Sequence, residues 1–493
     1  MIYMGRKKKA NSIFKITQFQ PNDCVTSSSV MVEVGDVCLL FDLGMEQDST
    51  KSFPQIYHNA IQKIQSIPFE KITHVITSHF HYDHVGLLPI LMREDINFKG
   101  EVIATELTMK IAELIMRDAE RINKSDVAKH GGSSKGYFPY YNELHIDELL
   151  NITKCYSYGQ KIKLSDKVDL ELVSACHVSG ASMALVTYHT EYKDYRLLYS
   201  GDITYGQKID RPFTMKIDDK KLKVDVLICE STYGLREEHK NSNSNKNPID
   251  FLEEVILNEV VRNSQTLWIP SFACGRATTI YYYLNEIFKR NEEIRKANIP
   301  VYFCGSMMND AHSIIGKDYY DDYYDEQWRN EKEIWRKEPF NFLTTKKDVE
   351  HFCYNNGRKI VISSSGMYDK GYSSLLADSY VANKKVSTCA CGFQGEGTLG
   401  YAISTGESYA VVNGIRKKVR LKFCGSIPEL SGHANHEGLL RFVSEHFNQT
   451  VLKHIVLVHG DDDAKEQFKE DLENILSKDK KIHIIKQFST LKL

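Results

Sequence analysis

The sequence predicts an α/β protein in which short strands alternate with helices. Two observations support this class: from Ile13 to about Glu230 apolar runs bounded by turn residues alternate with amphipathic segments, and a similar pattern returns after residue 249. Helical periodicity is clearest over Met109–Met116, and the polar stretch Lys124–Tyr141 predicts a loop. Strands are predicted at residues 29–34, 37–42, 102–104 and 196–200.

The chain is too long for one average domain, because it has 493 residues. An Asn- and Ser-rich stretch at residues 237–247 has the composition of a linker. It precedes a predicted amphipathic helix over Ile249–Arg262 and a predicted strand over Thr266–Pro270. The last part of the chain returns to short strands, including Lys453–His459. The sequence therefore predicts two or three domains, with one boundary near residue 235.

The composition excludes several classes of protein. Hydrophobic residues make up 42% and charged residues 26% of the chain, as in soluble globular proteins, and the formal net charge of −2 argues against coating nucleic acid through a global positive field. A polyanion would need a local patch such as Ile415–Lys422, whose alternation is also typical of a solvated edge strand. No apolar run reaches the roughly 18 residues that span a bilayer, and no signal-peptide core is seen, so we expect a cytoplasmic protein. The 11 scattered cysteines favour reduced thiols.

A dense group of metal-ligating side chains gives the strongest chemical signal. His79, His81, Asp83 and His84 fall within six positions, and imidazole and carboxylate are ligands that zinc takes at roughly 2.0–2.2 Å. The group follows a predicted buried strand over residues 72–77 and precedes a predicted helix start at Val85. His79 and His81 can face one point while Asp83 and His84 face another, so we expect two ions.

Further ligands are expected at strand ends next to small residues. His177, Asp202, His433 and His459 all have this setting, and Glu230 ends a predicted strand over residues 224–229. A carboxylate such as Asp202 can bridge two cations, because each oxygen can bind one. A satisfied turn for Asp202 and a capping role for His177 remain alternatives.

Taken together, these motifs resemble metallo-β-lactamase-fold nucleases with an inserted β-CASP domain, the group that includes the pre-mRNA 3′-end endonuclease subunit, bacterial RNase J and archaeal relatives. The resemblance covers nearly the whole chain. The motifs that carry it are residues 41–44, the cluster at 79–84, His177, Asp202, residues 230–234, 269–276, 363–367, 392–400, 431–434 and 458–460.

The resemblance implies a four-layer αββα metallo-β-lactamase fold with an α/β insert. It divides the chain into an N-terminal metallo-β-lactamase part at 1–234, a β-CASP domain at 235–430 and a C-terminal metallo-β-lactamase part at 431–493. It also implies two Zn²⁺ ions, which Mn²⁺ could replace. The implied ligands are His79, His81 and His177 for one ion and Asp83, His84 and His459 for the other, with Asp202 bridging.

The same resemblance implies a ribonuclease that leaves 5′-phosphate and 3′-hydroxyl ends, with Asp83, Glu230 and His433 as catalytic residues. RNA-cutting members carry histidine at the position of His459, whereas the DNA-cutting branch that resembles Artemis carries valine. Single-stranded RNA would lie at the interface of the two domains. No membrane partner is expected, and a homodimer is possible. Asn435 departs from the pattern, because many members have aspartate there.

Phosphate contacts are expected from residues near predicted helix starts and Gly-rich turns. Arg276 stands near a predicted helix start, and backbone amides around Ser364, Ser365 and Gly366 could receive neighbouring phosphates. Tight turns are the alternative interpretation of the Gly-rich segments.

Three other functions remain open at this stage. A small-molecule metallo-hydrolase shares the first cluster but has no need of the insert or of His433. A DNA nuclease of the same superfamily is disfavoured by His459. A non-catalytic RNA-processing scaffold would be expected to have lost ligands, and here each implied ligand is present.

Overall fold

The computed structural model describes residues 12–48, 50–205, 221–235, 246–316, 323, 340–392, 394–395, 397–427, 430 and 432–493. Most of the predicted linker at 237–247 lies outside the described residues, as do positions 393, 396 and 431 of the motifs named above. The domain boundaries at 234/235 and 430/431 stay predictions.

The first sheet joins the start of the chain to its last residues. Its strands are β1 Phe14–Gln18, β2 Val30–Val34, β3 Val37–Phe41, β4 His74–Ile76, β5 Glu101–Ala104, β6 Thr153–Cys155 and β22 Thr490–Lys492. They are ordered β22-β1-β2-β3-β4-β5-β6, antiparallel from β22 to β3 and parallel from β3 to β6.

The second sheet also mixes early and late strands. It contains β7 Lys161–Lys163, β8 Val168–Ser174, β9 Ser182–His189, β10 Asp194–Tyr199, β11 Val226–Glu230, β20 His454–Val458 and β21 Lys481–Ile484. The order is β21-β20-β11-β10-β9-β8-β7, and β10, β11, β20 and β21 run parallel. The carboxyl ends of β10, β11 and β20 therefore meet at one edge.

The two sheets pack face to face and carry helices on their outer faces. In β3, Leu39 and Phe41 belong to the apolar layer between the sheets, whereas Cys38 and Leu40 face the helices. This alternation follows from the two-residue period of a strand. The result is the four-layer αββα arrangement.

Helices cover the two outer faces of this sandwich. The first sheet is covered by α1 Phe53–Ser66, α3 Glu106–Lys129 and α4 Glu143–Ile152, and the short α2 Tyr82–Val85 follows the histidine cluster. Single 3₁₀ turns lie at Phe69–Lys71, Leu88–Met92 and Gly132–Lys135. Two late helices, His436–Glu445 and Asp462–Ile475, cover the second sheet.

A third, wholly parallel sheet lies between β11 and β20 in the sequence. Its strands are β12 Thr266–Pro270, β13 Val301–Cys304, β14 Phe340–Leu343, β15 Lys359–Ser363, β16 Val386–Ala390 and β19 Cys424–Ser426, in the order β14-β13-β15-β12-β16-β19. A separate hairpin is formed by β17 Tyr409–Val412 and β18 Ile415–Lys418. The helices are Pro248–Val255 with a π-helical continuation Ile256–Arg262, Arg276–Arg290, Glu292–Lys296, Ser306–Ile315, Lys346–Cys353, Gly371–Tyr380 and Leu399–Ser404.

Two local predictions were wrong. Helix α3 continues to Lys129, so the first residues of the predicted loop over Lys124–Tyr141 are helical. A helix was predicted to start at Val85, but α2 spans Tyr82–Val85 and ends there, and only the 3₁₀ turn Leu88–Met92 follows. Asp83 and His84 therefore lie within α2. Within the described parts of the chain, no helix is long and apolar enough to cross a membrane.

A buried lysine holds together the loops beneath the histidine cluster. Lys63 on α1 is buried, and its Nζ donates to Ser27 O at 2.9 Å, Ser27 Oγ at 3.0 Å and Gly44 O at 2.8 Å. The same loops support α2, because Ser28 N donates to Asp83 O at 2.8 Å and Gly44 N donates to Ser28 O at 2.9 Å. An added Cβ on Gly44 would lie 1.5 Å from Asp83 O, so this close approach requires glycine.

We expect Lys63→Met to lower the free energy of unfolding by about 3 kcal/mol, because it leaves buried carbonyls without a donor. Lys71→Met, at an exposed lysine nearby, is the matched control and should change stability little. Urea denaturation of both variants measures the difference. Equal stability of the two would show that Lys63 does not brace these loops.

Candidate metal centre

The predicted ligands converge where several strands of the sandwich end. His79 and His81 follow β4, His177 lies between β8 and β9, and Asp202 follows β10. His459 follows β20, and His433 precedes the helix His436–Glu445. The structure thus brings together side chains that are far apart in the sequence.

The first group consists of His79, His81 and His177. His81 Nδ1 lies 3.1 Å from His79 Nε2 and 3.1 Å from His177 Nε2. His177 Nδ1 lies 2.7 Å from the carbonyl oxygen of Gly432, which can only accept, so the proton is on Nδ1 and the lone pair on Nε2 faces the group.

The loop that carries His177 is fixed from both sides. The hydroxyls of Thr105 and Thr108, at the start of α3, donate to Gly180 O at 2.6 and 2.9 Å. Cys176 has a positive φ of 59° and pairs with Ile203, next to Asp202. These contacts set the position of His177 relative to Asp202.

The second group consists of Asp83, His84 and His459. His84 Nε2 lies 3.1 Å from His459 Nε2, and Asp83 Oδ2 lies 3.5 Å from the same His459 atom. His84 Nδ1 donates a hydrogen bond to the carboxylate of Asp42 at 2.8 Å, so Nε2 is the nitrogen that can bind a metal ion.

Asp202 stands between the two groups. Its Oδ2 lies 3.5 Å from His79 Nε2, 3.7 Å from His177 Nε2 and 3.3 Å from His84 Nε2. The residue is only 2% exposed, and its Oδ1 has no hydrogen-bond donor among the described residues. A carboxylate that is buried and has an oxygen without a hydrogen-bond donor would be stabilised by a bound cation.

The donor set fits divalent metal ions. Tetrahedral zinc with bonds of 2.0–2.1 Å places its nitrogen ligands roughly 3.3 Å apart. The nitrogen–nitrogen separations of 3.1 Å found within both groups are close to this value. In the first group the imidazole nitrogens converge at a separation that suits one shared cation. In the second group burial lowers the pKa of His84, but the charges of Asp202 and Asp42 outweigh burial and raise this pKa well above the usual value, so a bound cation would take the place of the proton on Nε2.

The ionisation states also suit metal binding. Burial holds the pKa of His79 and of His177 well below the usual range and lowers the pKa of His81 to about 4, so all three are neutral ligands at pH 7. Burial opposes ionisation of Asp83, but hydrogen bonding to His459 and the charge of His84 lower its pKa to about 2. Asp83 is therefore ionised at neutral pH.

A hydrogen-bonded hub forms around Glu230, a fully buried residue at the end of β11. Its Oε1 accepts from Ile203 N at 2.6 Å, and its Oε2 accepts from Thr232 Oγ1 at 2.6 Å and from His433 Nδ1 at 2.8 Å. Thr232 Oγ1 lies 3.0 Å from His459 Nδ1. Because the Thr232 hydroxyl proton goes to Glu230, His459 donates from Nδ1 and keeps the lone pair on Nε2.

His433 faces the centre without being buried among the ligands. Its Nε2 lies 3.7 Å from Asp202 Oδ2. Burial lowers its pKa, but the negative charges of Glu230 and Asp202 outweigh burial and raise the pKa above the ordinary value. The charged form of His433 is therefore favoured beside the Asp202 carboxylate.

One functional residue was not assigned a role from the sequence. Asp42 appeared only as part of a motif, yet its buried carboxylate accepts from Ser78 N at 2.7 Å, Ser78 Oγ at 2.8 Å, His84 Nδ1 at 2.8 Å and Tyr199 OH at 2.8 Å. Asp42 also has a positive φ of 59°, a backbone conformation that was not predicted from the sequence. Asp42 orients both the cluster and a ligand.

Arg276 lies close to the centre, at the first residue of the helix Arg276–Arg290. An added Cβ on Gly432 would lie 2.2 Å from Arg276 Nη2 and 2.6 Å from His177 Cε1, so the guanidinium and the imidazole flank the same backbone. Its positive charge contributes to lowering the pKa of His81, after the larger effect of burial. The side chain can meet an anion beside the first group.

Ser364, Ser365 and Gly366 follow β15 and lie beside Phe272. An added Cβ on Gly366 would lie 3.0 Å from the Phe272 ring. The amide of Ser364 donates to Cys304 O at 3.4 Å, and that of Ser365 donates to Lys370 O at 3.0 Å. These two amides are therefore already used within the protein.

Asn435 caps a helix and does not contact His433 through any hydrogen bond found among the described residues. It is the N-cap of the helix His436–Glu445, and its Oδ1 accepts from Gly438 N at 2.7 Å. Glu230 supplies the carboxylate that His433 needs.

Comparison with protein-family models gives three consecutive matches. The model of the metallo-beta-lactamase superfamily matches residues 22–148, and the model of the Beta-Casp domain matches residues 277–403. The model described as the Zn-dependent metallo-hydrolase RNA specificity domain matches residues 417–485. The chain belongs to the metallo-β-lactamase superfamily and carries a β-CASP domain. It is therefore a metal-dependent hydrolase.

Curated relatives of this β-CASP protein match it along most of its length. Integrator complex subunit 11 from Danio rerio is 25% identical over 468 residues, which is 94% of this chain and 72% of the relative. Cleavage and polyadenylation specificity factor subunit 3 from Dictyostelium discoideum is 25% identical over 470 residues, 94% of this chain but 55% of the relative. Cleavage and polyadenylation specificity factor 73 from Drosophila melanogaster is 25% identical and is covered over 59% of its length.

A solved structure shares the fold of this β-CASP protein. The crystal structure of a protein of unknown function from Enterococcus faecalis V583 superposes with a TM-score of 0.56 at 10% identity, covering 97% of this chain and 100% of that chain.

We expect Asp42→Asn to lower metal affinity at the second group by 10- to 100-fold, because the amide cannot accept every bond that orients His84 and Ser78. Titration of the apo β-CASP protein with zinc, followed by calorimetry, measures this change. Asp166→Asn is the control, since the Asp166 side chain is 94% exposed and lies away from the centre. Wild-type affinity in Asp42→Asn would contradict the role given to Asp42.

Proposed function

We propose that this protein is a zinc-dependent ribonuclease that hydrolyses RNA phosphodiester bonds by a two-metal mechanism and leaves 5′-phosphate and 3′-hydroxyl ends. One observation carries the proposal: His433, hydrogen-bonded through Nδ1 to the buried Glu230, points Nε2 at Asp202 from 3.7 Å. A metal centre with an attached proton donor suits hydrolysis that releases a poor leaving group such as an alkoxide.

The comparisons support RNA as the substrate. The model that matches residues 417–485 is described as an RNA specificity domain, and His433 and His459 both lie within it. The names of the relatives refer to cleavage and polyadenylation.

His79, His81 and His177 would hold one ion and Asp83, His84 and His459 the other, with Asp202 shared. When bound, such ions neutralise phosphate charge and lower the pKa of a coordinated water. We propose zinc, since nitrogen-rich tetrahedral sites favour it, and Mn²⁺ could replace it. Asp83 adds negative charge that strengthens ion binding at the second group.

His433 would supply the proton that the leaving group needs. In the imidazolium form, Nδ1–H donates to Glu230 and Nε2–H is free to protonate the 3′ oxygen as its bond to phosphorus breaks. A water oxygen becomes bonded to the phosphorus and releases one proton to solvent, which gives the 5′-phosphate. The 3′ oxygen, protonated by His433, becomes the 3′-hydroxyl. Glu230 keeps His433 oriented and favours its charged form.

Arg276 would bind a phosphate oxygen beside the first group, because its guanidinium lies next to His177 and can donate two parallel hydrogen bonds. Ser364, Ser365 and Gly366 would contact a neighbouring phosphate through hydroxyls and the Gly366 amide. Single-stranded RNA would then lie between the sandwich and the third sheet. Cytoplasmic location and a homodimer are further parts of this proposal.

The proposal is tested by incubating the zinc-loaded protein with end-labelled RNAs that carry a 5′-triphosphate, a 5′-monophosphate or no free end, and with DNA strands of the same sequence. We expect cleavage of RNA, with internal fragments from a circle if the action is endonucleolytic and mononucleotides from the monophosphate substrate if it is 5′-exonucleolytic. Preferential cutting of DNA, or thioester hydrolysis without RNA cleavage, would contradict the proposal.

We expect His433→Ala to slow RNA cleavage by about 10²–10⁴-fold, the usual effect of losing a general acid. The zinc content per chain, measured by atomic emission, should stay at the wild-type value because His433 is not one of the proposed ligands. His351→Ala, at an exposed histidine of the third-sheet region, is the matched control and should leave both quantities unchanged. Loss of zinc from His433→Ala would show that this residue is structural.

A further inference from the structure

We propose that a line of four exposed cations, Arg416, Lys418, Arg420 and Lys422, forms a second RNA-binding surface that holds the strand outside the metal centre. We call this line the cationic ladder. The proposal rests on the proposed ribonuclease function and extends it to the path of the substrate. The side chains begin on β18 and continue along the chain that leads into β19.

The four cations share one side of the chain because inward and outward residues alternate. Lys417 faces inward, where its Nζ lies 2.8 Å from Asp378 Oδ1, and Val419 and Leu421 pack against the apolar core of the third sheet. The residues between them, which are those of the cationic ladder, are exposed. Alternate residues of an extended chain recur every ~6.6 Å, so the ladder spans roughly 20 Å.

The positive charge of the ladder is not neutralised by the described part of the protein. Lys417 on the inner side has a carboxylate partner, whereas no ion pair with a described residue involves any of the four ladder cations. Like charges spaced along a line favour a linear polyanion over a compact acidic ligand. The formal net charge of the whole chain is −2, so this is a local feature.

The hairpin adds an aromatic surface to the ladder. Tyr409 lies opposite Lys418 and Val411 opposite Arg416 in the hairpin register, and they are 45% and 63% exposed. The Arg416 guanidinium carbon lies 4.8 Å from the centre of the Tyr409 ring. A tyrosine with a stacked arginine is a platform on which an unpaired base can stack, which favours single-stranded RNA.

The course of the chain connects the ladder to the centre. After Lys422 the chain enters β19, which runs parallel to β16, and Ile427 N then donates to Ala390 O at 2.9 Å. Beyond β19 come Gly432, which accepts from His177, and His433. The RNA specificity domain model begins within the hairpin, at residue 417. The ladder ends at the amino end of β16, where Lys422 N donates to Val386 O at 2.7 Å, so RNA held by the ladder would lie along the third sheet and outside the metal centre.

Protection of a sheet edge is the other reason for a line of cations. It would account for lysines on the edge strand of the third sheet, but that strand, β19, contains only Cys424, Gly425 and Ser426. It also gives no reason for the apolar and aromatic side chains that are exposed on the same face of a separate hairpin. The two explanations differ in one measurable property, the number of phosphates that the face neutralises.

The test is the salt dependence of RNA binding by Arg416→Gln/Lys418→Gln in the zinc-loaded full chain. Fluorescence anisotropy would use single-stranded RNAs of about 30 and about 5 nucleotides whose phosphoramidate linkages keep the charge but resist hydrolysis. For the long RNA we expect affinity to fall about tenfold and the slope of log K against log salt to decrease by about 1.4, since each single-strand phosphate contact contributes roughly 0.7. The short RNA, which brings fewer phosphates to the ladder, should show a smaller loss of affinity and a smaller change in slope.

The matched control is Lys110→Gln/Lys478→Gln, which removes the same charge from exposed lysines of the sandwich. An unchanged slope in Arg416→Gln/Lys418→Gln, or an equal change in the control, would overturn the ladder proposal and favour an acidic protein partner for this face. Thermal melting of each variant checks that the hairpin change leaves the fold intact. Failure of the wild type to bind either RNA would instead contradict the ribonuclease proposal itself.

Discussion

The centre depends on one buried carboxylate, that of Asp202, which is surrounded by the imidazoles of His79, His84, His177, His433 and His459. Burial makes ionisation of this residue costly, but nearby histidines, first among them His459 and His84, outweigh burial and hold its pKa well below the usual range. Backbone and side-chain acceptors fix the tautomers of His177, His84 and His459, so that lone pairs converge on the same space. This arrangement favours the binding of a cation next to Asp202.

Glu230 ties that preference to the rest of the chain. Through Ile203, Thr232 and His433 it joins the segment that carries Asp202 to the residues before and after the third sheet. A shift of any one of these segments would change the proton donor and a metal ligand together. Glu230 thus links residues on both sides of the third-sheet region. This link is a physical reason for that region to lie between β11 and β20 in the sequence and not at one end of the chain.

Much of the fold and of the site could be predicted from the sequence, because the relevant signals are local. The short apolar runs of β2, β3 and β12 and the spacing from His79 to His84 depend only on near neighbours. The contribution of Asp42 could not be predicted in this way, since its partners Ser78, His84 and Tyr199 meet it only through the folding of two sheets. The contact of Thr232 with His459 could not be predicted for the same reason. A threonine two residues after a glutamate is common, and only the structure shows that its hydroxyl lies against His459.

The errors have equally particular causes. The helix was expected to start at Val85, where the apolar residues begin. In the structure the helical turn is Tyr82–Val85. The amides of Ser28 and Leu43 donate to the carbonyl oxygens of Asp83 and His84 and so hold this turn in place. Polar composition suggested a loop at Lys124, but α3 continues to Lys129 with Val127 buried on its inner face.

In the proposed two-ion centre, two groups of ligands share Asp202. Anomalous diffraction at the zinc edge, from crystals of the wild type and of Asp202→Ala grown with zinc, locates the ions. We expect two peaks in the wild type, one among His79, His81 and His177 and one among Asp83, His84 and His459, and weakened occupancy of both in Asp202→Ala. A single peak, or two peaks that are unaffected by Asp202→Ala, would contradict this arrangement.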